Sequence, residues 1–277
     1  MIGTQLWLTI RTTQVAMQPP VIIIGLGEMG SVFSRGFLRK GHPVYPVTRT
    51  MTLAQAEQQM PDPALVVVAV GEKDLPATLA QLRAAWKTKL VLLQNELLPD
   101  DWLQHGIDRP TVISVWFEKK QGRDSKVILP SPAFGPHAER LRQALGSIRI
   151  PVRVLKTEAE LLHELVLKNV YILTTNIAGL KTGGTVGKLW EKHRPLAETI
   201  AREVIRIQEK LVGRQLDDKA LIEGMLRAFE GDPDHNCMGR SAPARLQRAL
   251  LLADKYGLDT PQLHVIDAEQ LPASERP

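Results

Sequence analysis

Residues 21–30 read VIIIGLGEMG, a β-branched apolar run that passes into glycines at 25, 27 and 30. Few local patterns restrict a fold so tightly. The apolar run predicts a strand covered on both faces, and the glycines predict a tight turn into a helix. In that setting Gly25 permits the turn, Gly27 lets the backbone approach a pyrophosphate, and Gly30 lets helix and strand pack closely. The loop Gly25-Leu26-Gly27-Glu28-Met29-Gly30 is therefore a candidate dinucleotide cradle, with phosphate charge met by the free N–H groups of the helix N-terminus. The spacing alone is common in glycine-rich turns. Here it also has the strand before it, a helical stretch to Lys40 closed by Gly41, and a second strand at Val44 to Thr48.

The end of that second strand selects the cofactor. A site for NAD usually places an acid there to hold the ribose 2′-hydroxyl. Between Glu28 and Glu57 the chain has no acidic residue, and offers Thr48, Arg49 and Thr50 in its place. An arginine between hydroxyls suits a 2′-phosphate through charge-assisted hydrogen bonds. The expectation is NADP(H), against the plainer alternative of an exposed strand-end arginine. Lys73, after a further strand, either reaches the cofactor phosphates or ribose or is a solvated loop lysine.

The rest of the chain divides in two. Leu65 to Val70, Leu90 to Leu93, Thr111 to Trp116 and Pro151 to Leu155 read as strands. Leu75, Leu79, Leu82 and Trp86 recur at helical spacing and predict one amphipathic helix. Strands alternating with helices predict a parallel sheet. From Thr157 the apolar positions follow helical periods, as at Leu196, Ile200, Val204, Ile207 and Leu211, with further helices at Lys219 to Phe229 and Ala244 to Tyr256. The expected fold is α/β, a Rossmann-type parallel sheet domain followed by an all-helical C-terminal domain. The expected boundaries are an extension at 1–18, a dinucleotide-binding domain at 19–156, and a helical substrate or dimerisation domain at 157–277.

Composition narrows the function classes. The 277 residues are 44% hydrophobic and 23% charged, which excludes collagen, a disordered tail and a disulfide-stapled mini-protein. The single cysteine, Cys237, forbids an intrachain disulfide and a four-thiolate zinc site, so a reducing compartment, the cytoplasm, is expected. The longest apolar runs fall far short of the ~20 residues that span a bilayer, and the start MIGTQLWLTI lacks a basic leader. No membrane partner is expected.

The net charge of +5 comes from basic residues scattered among acidic ones. Lys119, Lys120, Arg123 and Lys126 form the densest group and read as a solvated loop face. No nucleic-acid partner is expected, while an anionic small molecule would benefit from the field. Asp232, Asp234, His235 and Cys237 match neither an EF-hand nor a zinc spacing, so a turn is expected there and no metal. Hydrolase motifs of the GxSxG or HExxH type are absent.

With these residues in place, the chain resembles the ketopantoate reductases, and more broadly the 6-phosphogluconate-dehydrogenase-like superfamily of NADP-dependent reductases. The resemblance runs from Val21 on. It rests on GLGEMG with Arg49, on Gln94-Asn95 after a strand, and on the helical C-terminal half. It implies reduction of the carbonyl of a small 2-oxo acid such as ketopantoate, in a cleft between the halves, by an enzyme that can form a homodimer. In that family a lysine on the first long helix is the general acid, with asparagines four and eight residues later. Residues 164–176 match at Lys168 and Asn176, with Ile172 in the middle position. The family also uses an asparagine beside the nicotinamide, matched by Asn95.

Each of these residues has an ordinary alternative. Leu165, Val166, Leu167 and Val170 would desolvate Lys168 and lower its pKa, or Lys168 pairs with Glu164 at i,i+4 on a solvated face. Asn95 can simply form a loop, and Asn176 can bond helix backbone. The substrate side departs from the family: only Asn236-Cys237-Met238 stands for its Ser-Met segment, the stretch to Gly257 is short, and arginines 240, 245 and 248 occur where a substrate-binding acid is expected. Two rival readings follow: a superfamily reductase of an imine or larger acid, and a non-catalytic NADP-binding sensor or partner protein.

Overall fold

The computed structural model describes residues 18–270, and the expected extension at 1–18 lies outside them apart from Gln18. The chain begins with β1 (Val21–Ile24), α1 (Glu28–Arg39), β2 (Val44–Val47), α2 (Leu53–Gln59) and β3 (Leu65–Val68). Next come α3 (Leu75–Ala80), α4 (Ala84–Lys87), β4 (Leu90–Leu92), α5 (Asp100–Leu103) and β5 (Thr111–Ile113). A two-stranded hairpin, β6 (Phe117–Glu118) and β7 (Lys126–Val127), precedes β8 (Ser131–Phe134), α6 (Ala138–Gly146) and β9 (Val152–Val154).

The main sheet has seven strands in the order β2-β1-β3-β4-β5-β8-β9. Every neighbouring pair is parallel except β5 with β8, which is antiparallel. The parallel sheet expected from the sequence is present, with β8 as one antiparallel strand that the sequence reading does not place. The segment from β6 to α6 lacks the long apolar runs that reveal buried strands, so its strands escape a sequence reading.

Alternate residues of the strands feed opposite cores, as the two-residue pleat requires. Ile22, Val66 and Leu90 face Leu79 and Trp86, whereas Ile23, Val67 and Val91 face Phe33 and Phe37 of α1 and Leu141 of α6. The predicted helix over 75–86 is two shorter helices. Leu75, Leu79, Leu82 and Trp86 are all buried as their spacing demands. The break falls at Arg83, whose N–H is drawn to the buried Glu57 carboxylate at 3.1 Å, while the Trp86 indole N–H donates to the Met60 carbonyl. Those tertiary bonds override a good helical period.

The remainder is helical: α7 (Glu158–Thr182), α8 (Val186–Val212), α9 (Asp218–Gly231), α10 (Ala242–Lys255) and α11 (Pro261–Gln270). A capping box starts α7, with Thr157 and Glu160 each accepting from the other's backbone N–H. Thirteen consecutive residues, from Val166 to Ala178, are buried apart from the half-buried Ile172, and α7 packs against all four of the other helices. Helix α8 kinks at His193, just ahead of Pro195. Pro261, just beyond the helix expected at Ala244 to Tyr256, is the first residue of α11, an element the sequence reading does not place. The N-terminus of α11 is capped from afar by buried Glu203, which accepts from the N–H groups of Gln262 and Leu263, both at 3.0 Å.

Candidate cofactor and substrate site

The sheet order reverses between β1 and β3, and ligands of such sheets bind outside the carboxyl ends of the strands at that point. Gly25 sits there with φ +90°, and a Cβ on it would lie 2.9 Å from the Ala69 carbonyl oxygen. Only glycine fits. Gly30 is equally confined, since a Cβ would fall 2.1 Å from the Gly25 carbonyl oxygen. Gly27 is different: nothing lies within 4 Å of a Cβ built on it. The bare side of Gly27 opens outward beside the first turn of α1, and this is the space a pyrophosphate needs.

A groove of about 910 Å³ continues from that point along Gly25, Leu26 and Gly27 to Thr48 and Arg49, and back past Gly71 and Lys73. Thr48, Arg49 and Thr50 are exposed, the two threonine hydroxyls 3.1 Å apart. The Arg49 guanidinium has no carboxylate within 4.0 Å among the described residues. Lys73 is exposed on the groove wall. Glu28 turns its carboxylate away toward Lys119 at 3.3 Å, and Met29 packs into the core beneath the sheet, so both offer the groove only backbone. An open glycine face and a helix N-terminus, with a cation at the far end that has no carboxylate partner among the described residues, are features that could hold a dinucleotide.

Lys168 lies in the middle of α7, 8% exposed. Its Nζ stands 4.0 Å from the centroid of Trp116 and 5.3 Å from that of Tyr171, and it makes no hydrogen bond or ion pair with any described residue. Burial, with a smaller contribution from the charge of Arg245, pushes its pKa down to about 7. Glu164, the alternative i,i+4 partner, is taken by Arg153. Trp116 follows β5, so Lys168 meets the dinucleotide half across the boundary between sheet and helices. When protonated, the desolvated ammonium over the Trp116 face is held by the ring's negative potential.

Asn95 and Asn176 belong to one polar chain that crosses the same boundary. The Gln94 side chain donates to the carbonyls of Val68 and Val70, which fixes the loop after β4 against the end of β3. Asn95 then donates to Glu72 at 3.1 Å. The guanidinium of Arg245, on α10, donates to Glu72 at 2.8 Å, to Glu96 at 3.0 Å and to the Asn176 amide oxygen at 3.0 Å. Arg248, one turn on, donates twice to Glu96, which adopts a left-handed backbone with φ +61°. The Asn176 amide nitrogen faces the Cys237 carbonyl at 3.4 Å.

Glu72 would be raised by burial. Bonds from its own backbone N–H and from Asn95, with the charge of Arg245, outweigh that and hold it below the usual carboxylate range.

The structure thus gathers Lys168, Asn176 and Asn95 near one boundary, and the fingerprint glycines, Thr48, Arg49, Thr50 and Lys73 around one groove. Sequence reasoning missed Trp116, Glu72 and Glu96, and gave Arg245 no role. One signal for Arg245 was present: it interrupts the apolar face formed by Ala242, Leu246, Ala249 and Ala253. The segment with Asp232, Asp234, His235 and Cys237 is the connection from α9 to α10. There Asp232 is paired with Lys126 at 2.7 Å, so Lys126 is not simply solvated as expected.

No protein-family model and no curated protein sequence matches the chain. Solved structures do. The 2-dehydropantoate 2-reductase from Methylococcus capsulatus superposes with a TM-score of 0.66 at 12% identity, covering 90% of this chain and 95% of that one. A dimeric ketopantoate reductase from Staphylococcus aureus matches with TM-score 0.61, 17% identity and coverages of 90% and 96%. D-mandelate dehydrogenase with NADH gives 0.62, 13%, 89% and 96%. The chain has a ketopantoate reductase-like fold, a Rossmann domain followed by a helical domain.

Proposed function

We propose that this protein is an NADPH-dependent reductase of a small anionic carbonyl compound, a 2-oxo acid of the ketopantoate type, with Lys168 as general acid. The observation that carries the reading is the Lys168 amine, buried without a hydrogen bond or counter-ion among the described residues and brought to a pKa of about 7. An amine so placed is costly to the fold unless it serves a ligand. NADPH, when bound, supplies the hydride. The chain's own residues do the rest: the Gly27 face and α1 N-terminus receive the pyrophosphate, Arg49 with Thr48 and Thr50 receives the 2′-phosphate, and Lys73 lies along the groove. Lys168 gives its Nζ proton to the oxygen that becomes the alkoxide. Its nearby positive partner Arg245 adds a field that favours an anionic substrate.

Asn95 and Asn176 act in this reading by holding the boundary in place. The amide oxygen of Asn176 is already spent on Arg245, and Ile172 leaves no amide one turn earlier. That arrangement favours, as a second reading, a reductase of the same superfamily acting on an imine or a larger acid.

The fold neighbours include a D-mandelate dehydrogenase with NADH, which supports nicotinamide chemistry, and a dimeric ketopantoate reductase, which supports a homodimer. The single, buried cysteine suits the cytoplasm. Among the described residues no helix is long and apolar enough to cross a membrane. The test is oxidation of NADPH and NADH over a panel of 2-oxo acids and cyclic imines. Turnover with NADPH and a 2-oxo acid supports the first reading and turnover with imines alone supports the second. Tight NADPH binding without turnover makes the protein a cofactor-binding sensor.

A further inference from the structure

A second cavity, of about 490 Å³, opens between the C-terminal half of α1, the loop joining β6 to β7, and the turn between α6 and β9. It shares no lining residue with the dinucleotide groove. Three separate chain segments bring cations to it: Arg35 and Arg39 from the helix, Lys119 from the hairpin loop, and Arg149 from the turn. Lys119 belongs to the basic cluster expected to form a solvated face. It folds inward instead, its ammonium donating to the carbonyls of Lys120 and Arg123.

The charge there is not balanced. Lys119 faces Glu28 at 3.3 Å, and Arg35 reaches fully exposed Asp124 only at 4.0 Å. Arg39 and Arg149 have no carboxylate within 4.0 Å among the described residues. Arg149 also has φ +65°, a left-handed conformation where glycine is the ordinary residue after a helix end. Its N–H closes the end of α6 by donating to the Gly146 carbonyl at 3.0 Å, so the strained backbone is fixed. An arginine at a position that favours glycine, with no carboxylate partner for its side chain among the described residues, carries a backbone cost that its exposed guanidinium does not offset. Local strain of this kind marks ligand sites.

We propose that this cavity binds a small phosphoryl anion of the polyphosphate class. Arg39 and Arg149, without a carboxylate partner among the described residues, each present a guanidinium fork, the group that takes phosphate oxygens bidentately. Ser31 and Ser147 also line the cavity, but their hydroxyls donate to the carbonyls of Glu28 at 2.7 Å and Ala144 at 2.6 Å, so the arginines and not the serines carry the recognition. The cavity is open to solvent and lies outside the cofactor groove, so its ligand acts from a second site and does not compete for the fingerprint.

The test is calorimetric titration of inorganic pyrophosphate into the full chain. Binding should persist in Gly27→Ala and Arg49→Ala, and weaken about tenfold in Arg39→Ala and in Arg149→Gly. Arg149→Gly should also unfold at a higher temperature, because glycine relieves the left-handed strain. Loss of affinity with gain of stability separates a ligand role from a structural one. Pyrophosphate binding that disappears in Gly27→Ala but survives Arg39→Ala and Arg149→Gly would overturn the proposal, as would the absence of binding in the unsubstituted protein.

Discussion

Arg245 Nη1 donates to Asn176 Oδ1 across 3.0 Å, and by that bond α10 is tied to α7 at the boundary with the sheet. The same guanidinium holds Glu72 and Glu96, which stand on the loops after β3 and β4. One buried side chain therefore fixes two loops and two helices.

Removing it leaves carboxylates without a partner. Arg245→Leu is expected to destabilise the protein by about 3 kcal/mol, the low end for breaking a buried pair because both glutamates keep some contact with water. Chemical denaturation measures this. The Glu72→Gln variant should also flatten the acid side of the stability curve. Glu72 is held below its unfolded value of 4.5, so its stabilisation is present above that pH and is lost as pH falls through the folded value.

For Lys168 the sign is opposite. Its folded pKa of about 7 lies below the unfolded 10.5, so the unfolded state binds more protons between those values. Burial of the ammonium costs stability below pH 7, and the penalty disappears as pH rises toward 10.5. Lys168→Met should therefore stabilise the protein at pH 6, by a margin that shrinks to nothing in alkali. A variant that is less stable at every pH would show that the ammonium is held by an interaction stronger than the Trp116 face.

The glycines give a paired outcome. Gly27→Ala should fold normally, since its Cβ meets nothing, and should weaken NADPH and NADH alike. Gly30→Ala forces a Cβ onto the Gly25 carbonyl and should cost roughly 1–3 kcal/mol, the scale of overpacking, whatever the cofactor. Thermal melts with and without NADPH separate the two effects.

If the proposed 2′-phosphate role holds, Arg49 sets the choice between cofactors. Arg49→Ala should remove most of the preference for NADPH while NADH affinity stays nearly unchanged, as read by calorimetry. Equal affinity for the two cofactors before substitution would contradict the 2′-phosphate assignment.

The parts legible in the sequence are those specified locally. VIIIGLGEMG announces its own strand, turn and helix, and the apolar period of residues 196–211 announces α8. The site across the boundary is assembled from 72, 95, 96, 116, 168, 176 and 245, and no local pattern couples those positions. Leu75 to Trp86 shows the same limit inside one element: the period names the buried residues correctly, while Glu57, distant in sequence, decides where the helix breaks. Pro261 shows it again, since its helix is capped by Glu203. Lys168 was ambiguous for a related reason. Its partner in the alternative reading, Glu164, is claimed by Arg153, a residue on β9.

The central claim is that Lys168 supplies the proton. The direct measurement is the pH dependence of kcat/KM for a substrate found in the panel, for the protein and for Lys168→Ala. With Lys168 as the acid, kcat/KM falls as pH rises through about 7, and the variant loses about 10²- to 10⁴-fold with that alkaline limb absent. Near-full turnover in Lys168→Ala, with the limb retained, would contradict it.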